Sequence, residues 1–335
     1  MKKNPIKKAQ FYEKYKNNMV KCSLCPHNCI IKENSTGICG VRKNIGGVLY
    51  TLNYGEITAL NIDPIEKKPL FHYYPGKKIF SIGTWGCNFK CAFCQNFEIS
   101  QIHPYSIYKI SPEELVDIVV KKNMDMVAFT YSEPIVWYEY VYDTAKKLKE
   151  NNIKTILITN GYINREPLLK LLHYIDAVNI DLKGFNDEFY KKVIGGEKEP
   201  VMENIKILIK NKIHTEVTTL VVTEGNDNKI ELEDLFKWLG ETSKDIPLHL
   251  SRYYSVYKYN KPPTDIIFLK ELYQIAKKYL NYVYLGNVWD KSYESTYCPK
   301  CGSLIIKREG YNIKIQNIDD KGRCKHCLKE IPIFF

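Results

Sequence analysis

Three cysteines at the spacing C-x3-C-x2-C, Cys87, Cys91 and Cys94, constrain this chain more than any other feature. They sit in the stretch Gly86-Cys87-Asn88-Phe89-Lys90-Cys91-Ala92-Phe93-Cys94, fed directly by the apolar run Lys78-Ile79-Phe80-Ser81-Ile82-Gly83. Three thiolates are one short of a closed [4Fe–4S] or zinc site. Either a fourth ligand comes from elsewhere in the chain, or one metal position stays open to a small molecule. A loop after an apolar strand is where cofactors collect in parallel α/β barrels.

The chain has 335 residues and eleven cysteines. In a secreted protein these would suggest disulfides; here the odd count and the short pairs argue for metals. They fall into three groups with none left over: Cys22, Cys25, Cys29 and Cys39; Cys87, Cys91 and Cys94; Cys298, Cys301, Cys324 and Cys327. That reads as two closed sites and one open one. The formal charge of +11 suggests an anionic partner, nucleic acid among the options. Thiolates reduce it: each four-cysteine site around a divalent ion carries −2 and three thiolates around a 2+ cluster carry −1, leaving about +6. The lysines then read as solvated surface. No apolar run approaches the ~18 residues that span a bilayer. The polar start, residues 1–21, has no apolar core like that of a signal peptide, so no membrane association and a cytoplasmic location are expected. A short helix after Pro5 is the expectation there.

Three units are expected. Residues 1–78 form a Cys-rich N-terminal segment. In it, Cys22-Ser23-Leu24-Cys25-Pro26-His27-Asn28-Cys29 and Cys39-Gly40 make a tight loop that turns sulfurs inward, around zinc or a second iron–sulfur cluster. The metal is left open, and His27 is an alternative ligand. Residues 79–290 alternate strand and helix. β-Branched runs recur at 79–83, 126–130, 155–159, 177–181, 215–222, 247–251 and 282–285, with helical patterns between. Ser111-Pro112-Glu113-Glu114 is a helix start. This pattern implies a parallel sheet with right-handed crossovers: a partial (β/α)6-type barrel, with an open doubly wound sheet as the alternative. Residues 291–335 carry Cys298-x2-Cys301 and Cys324-x2-Cys327, with Ile313, Ile315 and Ile318 marking a strand beyond a turn near Gly310. That is a zinc ribbon, either a partner-binding surface or a structural cap.

Polar motifs end nearly every strand. Glu133, in Thr130-Tyr131-Ser132-Glu133-Pro134, is placed to accept from an ammonium or, alternatively, to sit at a helix N-terminus. Thr159-Asn160-Gly161 ends the next strand and Asp181-Leu182-Lys183 the one after. Asp181 and Lys183 share a face; they are either a rim ion pair or a site for a carboxylate. His249 stands at a later strand end, where it is either a satisfied core histidine or a cofactor-facing one.

The cysteine loop resembles that of radical S-adenosylmethionine (SAM) enzymes, in which the open iron of a [4Fe–4S] cluster is chelated by the amino and carboxylate groups of SAM. The resemblance implies that Cys87, Cys91 and Cys94 hold the cluster and that Glu133, Asp181, Lys183, Thr159 and His249 face the cofactor. Tyr131-Ser132-Glu133 departs from that superfamily's Gly-Gly-Glu-like motif at both glycines. Thr159-Asn160-Gly161 with Asp181-Leu182-Lys183, and Gly195-Gly196 with Pro200-Val201, look like the branch containing pyruvate formate-lyase activase. In combination, the N-terminal cysteines, Thr84-Trp85-Gly86-Cys87, His249-Leu250-Ser251-Arg252, Gly286-Asn287-Val288 and the tail resemble the radical SAM member of the AmmeMemoRadiSam system over residues 22–335. This implies a low-potential electron donor, reductive cleavage of SAM and hydrogen abstraction from a substrate. A protein substrate is favoured, with Memo-like or AMMECR-type proteins as partners. An RNA or small-molecule substrate is the first rival, and a non-catalytic metal-binding adaptor the second. Neither the substrate nor a residue acting on it is legible.

Overall fold

The computed structural model describes residues 6–335 except 103 and 105. Its framework is one eight-stranded sheet. β1 (Ala59–Pro64) runs antiparallel to β2 (Lys78–Gly83). From β2 the sheet continues parallel and in sequence order through β3 (Met126–Phe129), β4 (Lys154–Thr159), β5 (Ala177–Asp181), β6 (His214–Val221), β7 (Leu248–Arg252) and β8 (Val283–Gly286). β1 and β8 are the two edges, so the barrel does not close. The sheet also reaches back before residue 79, because β1 caps its first edge.

The six crossovers from β2 to β8 carry α1 (Pro112–Lys121), α2 (Tyr138–Glu150), α3 (Arg165–Leu172), α4 (Glu199–Lys210), α5 (Lys229–Thr242) and α6 (Ile266–Ala276). Local chemistry sets their starts. Ser111 Oγ accepts from the Glu114 amide and the Glu114 carboxylate accepts from the Ser111 amide, a reciprocal capping box with Pro112 at the first helical position. Asn228 and Asp265 cap α5 and α6. Each helix buries an apolar stripe against the sheet, such as Leu232, Leu235, Phe236 and Leu239 on α5. The strands are buried on both faces, as parallel strands between helices and a filled interior must be.

The N-terminal segment differs from the helical expectation. Its described part forms short strands at Lys7–Lys8, Tyr12–Lys14 and Val20–Cys22, each paired antiparallel; residues 1–5 lie outside the description. Left-handed Asn17 and Asn18 turn the second of these strands into the third, so local asparagine turns override helix propensity. In the tail, β9 (Thr296–Tyr297), β10 (Leu304–Glu309) and β11 (Asn312–Ile315) form an antiparallel sheet that turns at Gly310. No helix among the described residues is long and apolar enough to cross a membrane.

Candidate active site

The loop after β2 carries Cys87, Cys91 and Cys94, and its backbone is held from several sides. The Lys90 amide donates to the Ile194 carbonyl at 2.8 Å, and the Ala92 amide to Val193 at 3.3 Å. Residues Tyr190–Ile194 form one π-helical turn ending in left-handed Gly195. A Cβ on Gly196 would lie 2.4 Å from the Phe89 ring, so the glycine pair is the bed on which the cysteine loop packs. On the other side, a Cβ on Gly86 would meet the Cys39 carbonyl at 2.8 Å, and His27 Nε2 donates to the Asn88 carbonyl at 2.7 Å.

Inside the loop Cys87 lies against the end of β4, with its sulfur near Asn160. Burial pushes the Cys87 thiol well above its ordinary pKa, with the Glu133, Cys91 and Cys94 charges adding to it. Burial lifts Cys91 to about 11, against the lowering effect of the Lys183 ammonium. Buried thiols of this kind become thiolates only with a cationic partner. Cys87 Sγ accepts from the Phe89 amide at 3.3 Å and lies 3.8 Å from Asn160 Nδ2, the N–H contacts a thiolate ligand needs. Three thiols with no fourth cysteine among them fit a [4Fe–4S] cluster with one open iron.

β3, β4 and β5 bring the polar strand ends to this loop. Glu133, 3% exposed, accepts from Thr159 Oγ1 at 2.6 Å, from the Asn160 amide at 2.8 Å and from the Ile135 amide at 2.9 Å. Burial raises its carboxyl to about 7 despite these donors. Lys183 Nζ meets Asp181 Oδ2 at 3.0 Å. Burial alone would lower the Lys183 pKa; the Asp181 carboxylate and the Cys91 sulfur outweigh it, so the ammonium is held charged. The Ser132 hydroxyl, between Tyr131 and Glu133, has no hydrogen-bond partner among the described residues, which suits a polar ligand at the ends of these strands.

Two expected cofactor-facing residues have other partners here. Thr159 is spent on orienting Glu133. His249 is buried within the sheet and donates to Glu216 at 2.7 Å, with its ring on Phe71 and Tyr284. Phe71 precedes β2, whereas the cysteine loop follows it, so His249 belongs to the opposite layer of the interior. Strand alternation put it on the right face but said nothing of depth.

Asn88 and Asn160 were not singled out from the sequence as site residues. Asn160 Nδ2 donates to Asn88 Oδ1 at 2.8 Å, and Asn88 Nδ2 to the Tyr162 carbonyl at 2.8 Å, so the pair ties the cysteine loop to the end of β4. Asn160 stood beside Thr159 in a strand-end motif, the one signal available. Tyr131 replaces a glycine of the familiar motif yet takes the left-handed backbone, φ 70°. Its side chain holds it there: the hydroxyl donates to Asp63 at 2.6 Å and the Lys68 ammonium lies 4.3 Å from the ring centroid.

The other cysteines form two separate groups. The tail sulfurs all lie within 4.8 Å of one another, Cys298 to Cys327 at 3.5 Å and Cys301 to Cys324 at 3.6 Å, close enough for one metal ion. Cys22, Cys25, Cys29 and Cys39 line a cavity beside the cysteine loop.

The chain belongs to the Radical SAM superfamily, whose signature matches residues 81–239, a stretch that takes in the cysteine loop at the C-terminal edge of the parallel sheet together with Glu133, Asp181 and Lys183. It is 46% identical over 334 residues to an uncharacterized protein of Methanocaldococcus jannaschii, covering 98% of this chain and 99% of the other. It is 28% identical over 169 residues to pyruvate formate-lyase 1-activating enzyme of Escherichia coli, covering 48% of this chain and 66% of that one. A domain of pyruvate-formate lyase-activating enzyme from Bacteroides vulgatus is similar in structure over 48% of this chain and 98% of its own, with a TM-score of 0.43 and 17% identity. The superfamily brings a [4Fe–4S] cluster and SAM with it, and the chain is related to the activases of glycyl-radical enzymes.

Proposed function

We propose that this protein cleaves SAM reductively and uses the product to take a hydrogen atom from a protein substrate. The observation that carries the reading is the convergence of three cysteines on one loop, Cys91 among them buried, with a Lys183–Asp181 ion pair and a buried Glu133. When bound, the cluster and SAM supply one-electron cleavage to methionine and a 5′-deoxyadenosyl radical; the chain supplies binding, orientation and exclusion of water. Cys87, Cys91 and Cys94 would hold the cluster. Glu133 would accept from the SAM ammonium. Lys183, kept protonated by Asp181, would neutralise its carboxylate. Asn88 and Asn160 would hold the loop in register with β4.

A protein substrate is favoured because the Escherichia coli relative, by its name, activates another enzyme. The combined motifs further suggest the AmmeMemoRadiSam system, with Memo-like or AMMECR-type partners and a low-potential electron donor. In the tail, the sulfur spacing supports zinc: four sulfurs around one ion at ~2.3 Å stand about 3.8 Å apart. The adaptor reading finds no support, since it gives the residues gathered on the cysteine loop nothing to do.

The test is anaerobic. Protein loaded with iron and sulfide is given dithionite and SAM, and 5′-deoxyadenosine is assayed. Production that is lost in Cys91→Ala supports the reading. Equal traces in both, with the cluster fully loaded in the parent protein, count against it.

A further inference from the structure

The four N-terminal cysteines differ from the tail four in how they are arranged. Among the described residues, the tail cysteines form the group whose sulfurs all lie within 4.8 Å of one another. Cys22, Cys25, Cys29 and Cys39 instead line one narrow cavity together, without their sulfurs being drawn within that mutual distance. Their thiols still face a common centre: Cys25 feels the charges of Cys22, Cys39 and Cys29, and Cys22 feels that of Cys29.

Arg42 lines the same cavity and is 1% exposed. Its Nη2 donates to Glu139 Oε1 at 2.8 Å and to the Gln10 carbonyl at 2.6 Å. Its Nε and Nη1 have no hydrogen-bond partner among the described residues. An orphaned donor on a buried guanidinium is costly unless an acceptor completes it. Glu139 pairs with Nη2 only, so the N–H groups of Nε and Nη1 call for acceptors supplied from the cavity.

We infer that Cys22, Cys25, Cys29 and Cys39 bind a second [4Fe–4S] cluster, closed by four protein thiolates, with Arg42 donating to its sulfurs. A cubane separates its ligand sulfurs by an iron–sulfide cage, so the four cysteines must stand apart around a hollow; a single ion would draw them together as in the tail. The cluster with four thiolates carries a net charge of −2 in its oxidised form, which the unpartnered N–H groups of Arg42 suit. Having no open iron, it binds no substrate; it takes up one electron from a low-potential one-electron reductant, passing from the 2+ to the 1+ state. It lies directly behind the cysteine loop, since His27 bonds the Asn88 carbonyl and the Cys39 carbonyl touches Gly86. His27 therefore bridges the two loops instead of ligating.

The test uses the full chain, loaded anaerobically with iron and sulfide in the presence of zinc. The parent should hold about eight irons, two clusters of four. Cys87→Ala/Cys91→Ala/Cys94→Ala should keep about four irons, a native circular dichroism spectrum, and a dithionite-reduced signal in electron paramagnetic resonance that SAM does not alter. In the parent, SAM should alter one of two signals and leave the other. One zinc and no iron at the N-terminal group of the triple variant overturns the inference, and so does a parent with a single signal and about four irons. Two signals that both ignore SAM would instead sink the proposed SAM site while leaving the second cluster standing.

Discussion

At the scale of single residues, the site depends on close approaches that tolerate no extra atoms. Gly196→Ala places a Cβ against the Phe89 ring, and relief requires the cysteine loop to move. Overpacking of this kind costs about 1–3 kcal/mol. The expected outcome is a folded protein with a depleted open cluster, read as iron content and visible absorbance after loading. Glu133→Gln keeps the size of the side chain but removes the charge and turns an NH2 toward a donor. If Glu133 accepts from the SAM ammonium, losing one charge-assisted hydrogen bond of about 1.5–3 kcal/mol weakens SAM binding by about 10- to 100-fold. Titrating SAM into cluster-loaded protein measures this. An unchanged Kd would leave Glu133 only its role of tying β3 to β4.

At the scale of elements, the tail is built into the floor of the barrel. Ile305, Ile306, Ile318 and Ile331 share one core with Phe71, Tyr282 and Tyr284, so part of that core comes from the sheet side. Arg308, 1% exposed, donates to the Phe71 carbonyl at 2.6 Å and to Thr296 Oγ1 at 2.7 Å, with its guanidinium over the Phe71 ring. The Phe334 amide donates to the His72 carbonyl. The tail thus acts as a cap. If the tail cysteines hold zinc, as proposed, removing it, a loss of ~10–16 kcal/mol in small zinc modules, should lower the melting temperature of the whole chain and not merely unfold an appendage. Calorimetry of Cys324→Ser beside the parent checks this: an unchanged main transition would mean that the tail is independent.

At the scale of the whole molecule, the charged interior opposite the cysteine loop makes stability depend on pH. Glu216 accepts from His214, His249 and the amides of Phe71 and His72. Burial works against its charge, but the hydrogen bonds from His214 and His249 prevail and hold the carboxyl well below its usual range. His72 is pushed down to about 3, first by burial. Its Nδ1 faces the Pro332 carbonyl, which only accepts, so Nδ1 carries the proton and Nε2 accepts from the Tyr284 hydroxyl. The unfolded chain protonates His72 near pH 6.5 while the folded one does not until about 3. Stability therefore falls as pH drops through that window, by about 1.4 kcal/mol per unit from this group. Glu216 adds a loss in the same direction below about pH 4.3, where the unfolded carboxyl takes up its proton. Urea unfolding at pH 5 and pH 7, beside His72→Gln, checks it; equal slopes in both proteins would rule His72 out as the source.

The amino-acid sequence by itself determined what could be read locally. The strand and helix order came from periodicity, the start of α1 from Ser111 and Pro112, and the three cysteine groups from spacing, because each depends on neighbours within a few residues. Only the tertiary structure decided which polar strand ends meet. Whether His249 faces the cysteines or Glu216 depends on depth along the interior, and depth is set by how β7 registers against β6 and by Phe71 packing beneath them. Likewise, no spacing distinguishes four cysteines drawn around one ion from four standing around a hollow. That difference lies in distances between sulfurs on separate turns, and in Arg42, which is brought to the cavity by strand pairing and held there by Glu139 on α2.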